Sequence, residues 1–108
     1  MDSEYVIVFV IAPTGDDGRA IARALVREKL AACVNILPGI RSIYTWEGEV
    51  CEDDEVLLII KTRSEIFEAL SAMVKEVHPY DVPEVIAVPL KGGAADYLNW
   101  IDQVTQAK

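Results

Sequence analysis

The chain has 108 residues, 52% of them apolar, with 10 basic against 18 acidic side chains and a formal net charge of −8. That length predicts one domain over residues 1–108 with a modest core, and so high an apolar share excludes disorder. The negative balance argues against nucleic acid, whose phosphates need a basic face, and against an anionic membrane surface.

The start, Met1-Asp2-Ser3-Glu4, is acidic where a secretory leader would be basic, so no signal peptide is expected. The longest apolar run, Tyr5 to Pro13, is nine residues, about half a membrane span. Cys33 and Cys51 are separated by seventeen residues and form no C-x-x-C motif, which predicts reduced thiols in a cytoplasmic protein.

In chain order, Tyr5–Ile11 is β-branched, aromatic and apolar on both faces, the pattern of a central strand, and Pro13-Thr14-Gly15 breaks it. From Asp16 to Leu30, apolar Ile21, Ala22, Leu25, Val26 and Leu30 oppose Arg19, Arg23, Arg27 and Lys29 at helical spacing, with Asp16 and Asp17 at the favourable N-terminus. Leu30–Leu37 and Ile40–Trp46 read as one long strand kinked at Pro38-Gly39, as a proline and glycine inside an edge strand imply. Glu47-Gly48 is a two-residue turn into a third strand, Glu49–Lys61. Thr62-Arg63-Ser64-Glu65 has capping-box spacing and predicts the start of a second helix carrying Ile66, Ala69 or Leu70, Met73 and Val77. His78-Pro-Tyr-Asp-Val-Pro83 must be a loop, because each proline forces its predecessor toward extended geometry. A fourth strand, Glu84–Leu90, a turn at Lys91-Gly92-Gly93 and a third helix, Ala94–Val104 with Tyr97, Ile101 and Val104 inward, complete the chain.

The order β-α-β-β-α-β plus a C-terminal helix predicts the α+β class and a ferredoxin-like split βαβ sandwich. Helices on one face leave the other sheet face uncovered. Apolar residues on that face predict oligomerisation.

Two cysteines are too few for an iron–sulfur cluster, and the loop Thr14–Gly18 carries two aspartates where a phosphate cradle would need none. The single histidine, His78, has no nucleophile motif beside it, so no catalytic residue is assigned and no enzyme is expected. Its imidazole either hydrogen-bonds locally or ligates a metal with help from Asp81, Glu84 or a neighbouring subunit. Glu47, Glu49, Glu52, Asp53, Asp54 and Glu55 can attract divalent cations but lack the order of a calcium loop, and the favoured reading is a solvated hairpin tip. Tyr44, Trp46, Tyr80, Tyr97 and Trp100 are core or interface candidates, and Lys61, ending an apolar strand, either pairs with Glu84 or holds a ligand carboxylate.

These residues also carry a family resemblance. Ala12-Pro13, Glu28-Lys-Leu-Ala-Ala-Cys33-Val-Asn-Ile-Leu-Pro38, Ser42-Ile-Tyr44-Thr-Trp46-Glu-Gly48, Leu58-Ile-Ile-Lys61-Thr62, His78-Pro-Tyr-Asp-Val-Pro-Glu84 and Tyr97-Leu-Asn-Trp100 together resemble the CutA divalent-cation-tolerance family over essentially the whole chain. The resemblance implies a cytoplasmic homotrimer packed through its sheets and a non-enzymatic role in tolerance to copper and other divalent metal ions. No cofactor is required, and copper(II) or another divalent cation is bound at most weakly. Members taken to bind copper carry a cysteine in the first strand and a His-His pair before the Pro-Tyr. Here those positions are Val10 and Val77-His78, so His78 alone carries over as a metal ligand. Tyr44, Trp46, Lys61, Tyr80, Glu84 and Trp100 match motifs around the family's inter-subunit cleft and form the expected ligand site. The alternative is a trimer similar to the PII signalling proteins, with a small metabolite in that cleft.

Overall fold

In the computed structural model, which describes residues 4–106, strand β1 (Tyr5–Ala12) lies between two later segments of the chain, β3 (Glu49–Arg63) and β4 (Val85–Pro89). Met1-Asp2-Ser3, on which the leader expectation partly rests, lie outside the described residues. With β2 (Cys33–Trp46) on the far side of β3, the sheet order is β2-β3-β1-β4 and every pairing is antiparallel. Helix α1 (Gly15–Arg27) joins β1 to β2, and α2 (Phe67–Val77) joins β3 to β4 after a single 3-10 turn at Ser64–Ile66. Helix α3 (Ala95–Val104) follows. This is the ferredoxin-like double split βαβ arrangement that the element order implied.

Alternation along the strands divides the sheet into two faces. Val6, Val8, Val10 and Ala12 of β1 point inward with Val56, Leu58, Ile60 and Thr62 of β3, all buried. They pack against Ile21 and Leu25 of α1 and Ile66, Leu70 and Val74 at α2, the main apolar core. Each large side chain buried there contributes about 1.5–3 kcal/mol. Gly18 brings α1 close to the sheet: a Cβ there would meet Val56 Cγ2 at 3.0 Å and Leu58 Cδ2 at 3.3 Å.

The opposite face carries Ile7, Phe9 and Ile11 beside Leu57, Ile59 and Lys61, with Ile86 and Val88 at the β4 edge. Helix α3 covers one end of it. Ile101 is fully buried, the Tyr5 hydroxyl donates to Asp102 at 2.8 Å, and Arg63 Nε donates to the Thr105 hydroxyl at 3.0 Å. Of the side chains expected inward, Val104 is half-buried, whereas Tyr97 stays exposed against Trp100 and Thr105 takes the second buried place. The remainder of this face stays uncovered in the protomer.

Two local expectations are corrected. Thr62 is not a helix cap: β3 runs on to Arg63 because Val6 and Tyr5 pair with Thr62 and Arg63, and the Thr62 hydroxyl donates to the Leu30 carbonyl at 2.7 Å. Helix α1 ends at Arg27, three residues early, because Lys29 takes a positive φ of 60° that turns Leu30 back into the core. Its N-cap is Thr14, whose hydroxyl accepts from the Asp17 amide at 3.1 Å.

Beyond Ala12 the β1 ladder stops, but β2 and β3 remain paired from Ile40↔Glu55 to Trp46↔Glu49. This two-stranded arm begins at the predicted kink, a register shift between Leu37 and Ile40 with Gly39 at φ 80°. It ends in the Glu47-Gly48 turn, where both residues have positive φ, the geometry of a type I′ hairpin. Ile43 and Val50 on the arm are 68% and 78% exposed.

Candidate functional site

The site lies where the arm leaves the sheet. Glu55 is the last β3 residue before β1 support begins, and parity places it on the face of Leu57, opposite Ile40. From the other side, the segment His78–Glu84 leaves α2 and bends through residues 79–82, kept out of helix by Pro79 and Pro83, until β4 pairs Val85 with Val10. A cleft of about 760 Å³ opens between arm and segment. Its walls include Tyr44 and Trp46 from β2, Glu55 from β3, and Tyr80, Asp81 and Glu84 from the proline segment.

His78 organises the segment. Its ring is 7% exposed; Nε2 sits 2.7 Å from the Ile11 carbonyl and Nδ1 accepts the Tyr80 amide at 3.0 Å. A carbonyl can only accept, so Nε2 carries the proton and the ring is the neutral tautomer. Both nitrogens therefore have backbone partners. Ligation by His78 would require breaking one of these bonds, and its nearest ring neighbour is Tyr80, with centroids 4.8 Å apart.

Tyr80 links the two walls, and Tyr44 braces the arm itself. Tyr80 donates its hydroxyl to Glu55 Oε2 at 2.6 Å, and Tyr44 donates to Asp53. Glu55, only 6% exposed, is one of four buried polar or charged residues among the described ones. Burial, then the hydrogen bond to Glu55, pushes the Tyr80 phenol well above its ordinary value. The bond to Asp53 pushes Tyr44 up to about 12. Burial, with the Glu55 charge second, raises the Glu84 carboxyl. Among the described residues, no lysine or arginine forms an ion pair with Glu55, Asp81 or Glu84. The cleft is thus aromatic, acidic and uncompensated.

Of the six residues expected in one ligand site, the protomer brings together Tyr44, Trp46, Tyr80 and Glu84. Lys61 and Trp100 lie elsewhere. Lys61 is six β3 residues from Glu55, about 20 Å along a strand, and it donates to Asn35 across the β2 ladder instead of pairing with Glu84. Trp100 packs at a tilt against Tyr97 of α3 with ring centroids 5.4 Å apart. Glu55 was seen in the sequence only as one acid of the hairpin run; its signal is being the acid directly before Val56-Leu-Leu-Ile-Ile60. The rest of that run is solvated as expected, with Arg41 bridging Glu52 and Asp54 at 3.2 and 3.0 Å.

Residues 6–104 match the family model of the CutA1 divalent ion tolerance protein. The chain belongs to the CutA1 family. Among its relatives, the divalent-cation tolerance protein CutA of Thermus thermophilus is 50% identical over 99 residues, spanning 92% of this chain and 96% of the relative. The chloroplastic CutA 1 protein of Oryza sativa is 52% identical over 101 residues, 94% of this chain but 57% of the relative. The chain thus spans little more than half the length of its plant CutA relatives. Among solved structures, CutA1 from Oryza sativa superposes with a TM-score of 0.95 at 50% identity, covering 98% of this chain and 97% of that one. A CutA of Archaeoglobus fulgidus described as periplasmic gives 0.92 at 38% identity, covering 94% and 99%. CutA1 proteins are therefore named from more than one compartment; in this chain no described helix is long and apolar enough to cross a membrane.

Proposed function

We propose that the chain works as a non-catalytic homotrimer in the response to divalent metal ions, in the cytoplasm, taking up copper(II) or similar cations weakly at the carboxylates of its cleft. The observation that carries this reading is the set Glu55, Asp81 and Glu84 on one cleft with no cationic partner among the described residues. Copper(II) is a borderline cation that prefers imidazole or thiolate, so carboxylate oxygens completed by water hold it only weakly. Affinity is low in this reading, because among the described residues no three His, Cys, Asp or Glu side chains converge as ready ligands. His78 shapes the cleft by holding Ile11 and Tyr80. The trimer is supported by the apolar sheet face around Phe9 and Ile59 and by the exposed Ile43 and Val50 of the arm, which a neighbouring copy would cover. The reducing compartment is supported by two free cysteines.

Calorimetric titration with copper(II) and zinc tests the cation reading. Glu84→Gln should lower the heat, and equal heats from wild type and variant would overturn it. Light scattering should give about three times the chain mass of 11.9 kDa; a monomer would remove the trimer. A metabolite cleft between subunits is favoured by one observation: Lys61 and Trp100 lie far from the other four expected residues, so only a neighbouring copy would unite the six.

A further inference from the structure

We infer that the outer face of helix α1 docks a short acidic segment of another protein. Arg19, Arg23 and Arg27 make this face, and all three are exposed. They stand four residues apart, so their side chains leave one side of the helix about 6 Å apart along its axis. Gly18, Ile21, Ala22 and Leu25 occupy the opposite side and are buried. The row therefore belongs to the helix layer. A neighbouring copy seated on the uncovered sheet face would leave it open, so the surface is the same in the protomer and in a trimer.

The charge of the chain is segregated onto this helix. Residues 19–29 hold four basic side chains and one acid, a net +3, whereas the rest of the chain holds six basic and seventeen acidic ones, a net −11. The arginines of the row also lack partners that arginines elsewhere have. Arg41 bridges Glu52 and Asp54, and Arg63 lies beside Glu65 and Asp102. Arg23 and Arg27 pair with no acid among the described residues, and Arg19 reaches only the exposed Asp16 at 3.5 Å. No acid interrupts the helix from Gly18 to Arg27. Between the arginines the face carries only Ala20 and Val26, the latter 44% exposed.

Guanidinium groups take carboxylates in bidentate pairs. Acids recur about every 6 Å on one face of a helix and about every 7 Å on one side of a strand, so a segment presenting three of them matches the row. Length decides the class of partner. A nucleic-acid duplex or an anionic membrane runs beyond a row of about 12 Å onto strongly acidic surface, which repels its phosphates. A short acidic segment ends where the row ends, and Ala20 and Val26 give it apolar contact between the charges.

The inference is independent of what the cleft binds, and fluorescence anisotropy on the whole chain tests it. The probe is a labelled alanine-based helical peptide carrying three glutamates four residues apart. At physiological ionic strength its anisotropy should saturate. The same peptide with glutamines should bind roughly tenfold more weakly, the combined size of three exposed ion pairs. Arg23→Gln combined with Arg27→Gln, at exposed positions outside the core, should lose most of that factor at an unchanged melting temperature. Equal binding of the two peptides, or no saturation with either, overturns the inference without relying on any variant. Full binding by the double variant overturns it too, because the contact then lies elsewhere. Tighter binding of a short DNA duplex or of phosphatidylserine vesicles also overturns it and assigns the row to phosphates.

Discussion

The Tyr80 hydroxyl reaches across the cleft to Glu55 Oε2 at 2.6 Å, so the proline segment and the root of the hairpin arm are fastened by one charge-assisted hydrogen bond. Tyr80→Phe deletes the donor and leaves a buried carboxylate short of a partner. The expected loss of stability is about 1–3 kcal/mol, read as a lower denaturant midpoint at unchanged slope. A loss below about 0.5 kcal/mol would mean that cleft water replaces the phenol fully.

Glu84 predicts an acid-side signature. Its folded pKa is raised, by burial first and Glu55 second, above the ordinary value of 4.5. A raised carboxyl binds its proton more tightly in the folded state, so this group's contribution to stability falls as pH climbs through the interval above 4.5 and is constant beyond it. Glu84→Gln should therefore gain melting temperature relative to wild type at pH 7 and lose that advantage below pH 4.5. A pH-independent difference between the two proteins would remove the shift.

All four tyrosines, Tyr5, Tyr44, Tyr80 and Tyr97, are pushed above the ordinary phenol value of 10.0. The folded state holds these protons more tightly than the unfolded state, so stability is intact below 10.0 and declines as pH rises past it. Ultraviolet titration of the native protein should show tyrosinate appearing above pH 10.0, with Tyr44 near 12, and the unfolded chain should ionise earlier. Coincident native and unfolded curves would contradict the hydrogen bonds to Asp102, Asp53 and Glu55.

His78 makes a tautomer prediction. Nitrogen-15 spectra at neutral pH should show a protonated Nε2 with a slowly exchanging hydrogen and a bare Nδ1, as the Ile11 carbonyl and the Tyr80 amide require. The Nδ1-protonated form could make neither bond and would reopen His78 as a free ligand.

On the arm, Ile43→Ser and Val50→Ser remove apolar surface that the protomer leaves in water. Each should change protomer folding by less than about 0.5 kcal/mol while shifting light scattering toward smaller species at low concentration. Leu58→Ala, at a fully buried β3 position, should instead destabilise by about 2–5 kcal/mol. Unchanged assembly in the arm variants would mean that no copy covers this arm.

Much of the fold was legible because its signals are local. Unbroken β-branched runs mark β1 and β3, and Pro38-Gly39 marks the bulge since proline cannot donate to a ladder. Where a local signal lost, a distant partner won: Thr62 has capping-box spacing, but pairing with Val6 carries the strand through it and the Leu30 carbonyl claims its hydroxyl. In the site, Tyr44, Trp46, Tyr80 and Glu84 were legible only through the family motifs that carry them; alternation and the flanking prolines placed them on a strand and in a loop. Glu55 was not legible as a wall of the cleft. Its position depends on β1 ending at Ala12, more than forty residues earlier in the chain. Lys61 looked like a partner for Glu84 because a sequence does not reveal that Asn35, diagonal to it on the β2–β3 ladder, accepts its ammonium.

The strand order also sets a timetable. Val6 pairs with Thr62 and with Pro89, partners 56 and 83 residues downstream (62 − 6 and 89 − 6). Strand β1 is thus the first to leave the ribosome and the last to be enclosed, while the β2–β3 hairpin needs only its own Glu47-Gly48 turn to close. Such long loop closures slow folding, and during synthesis they leave a seven-residue apolar ribbon, Tyr5–Ile11, in search of an edge. For this chain the hazardous interval is translational: until β4 emerges, β1 is a sticky strand that a chaperone, or another nascent copy, can seize first.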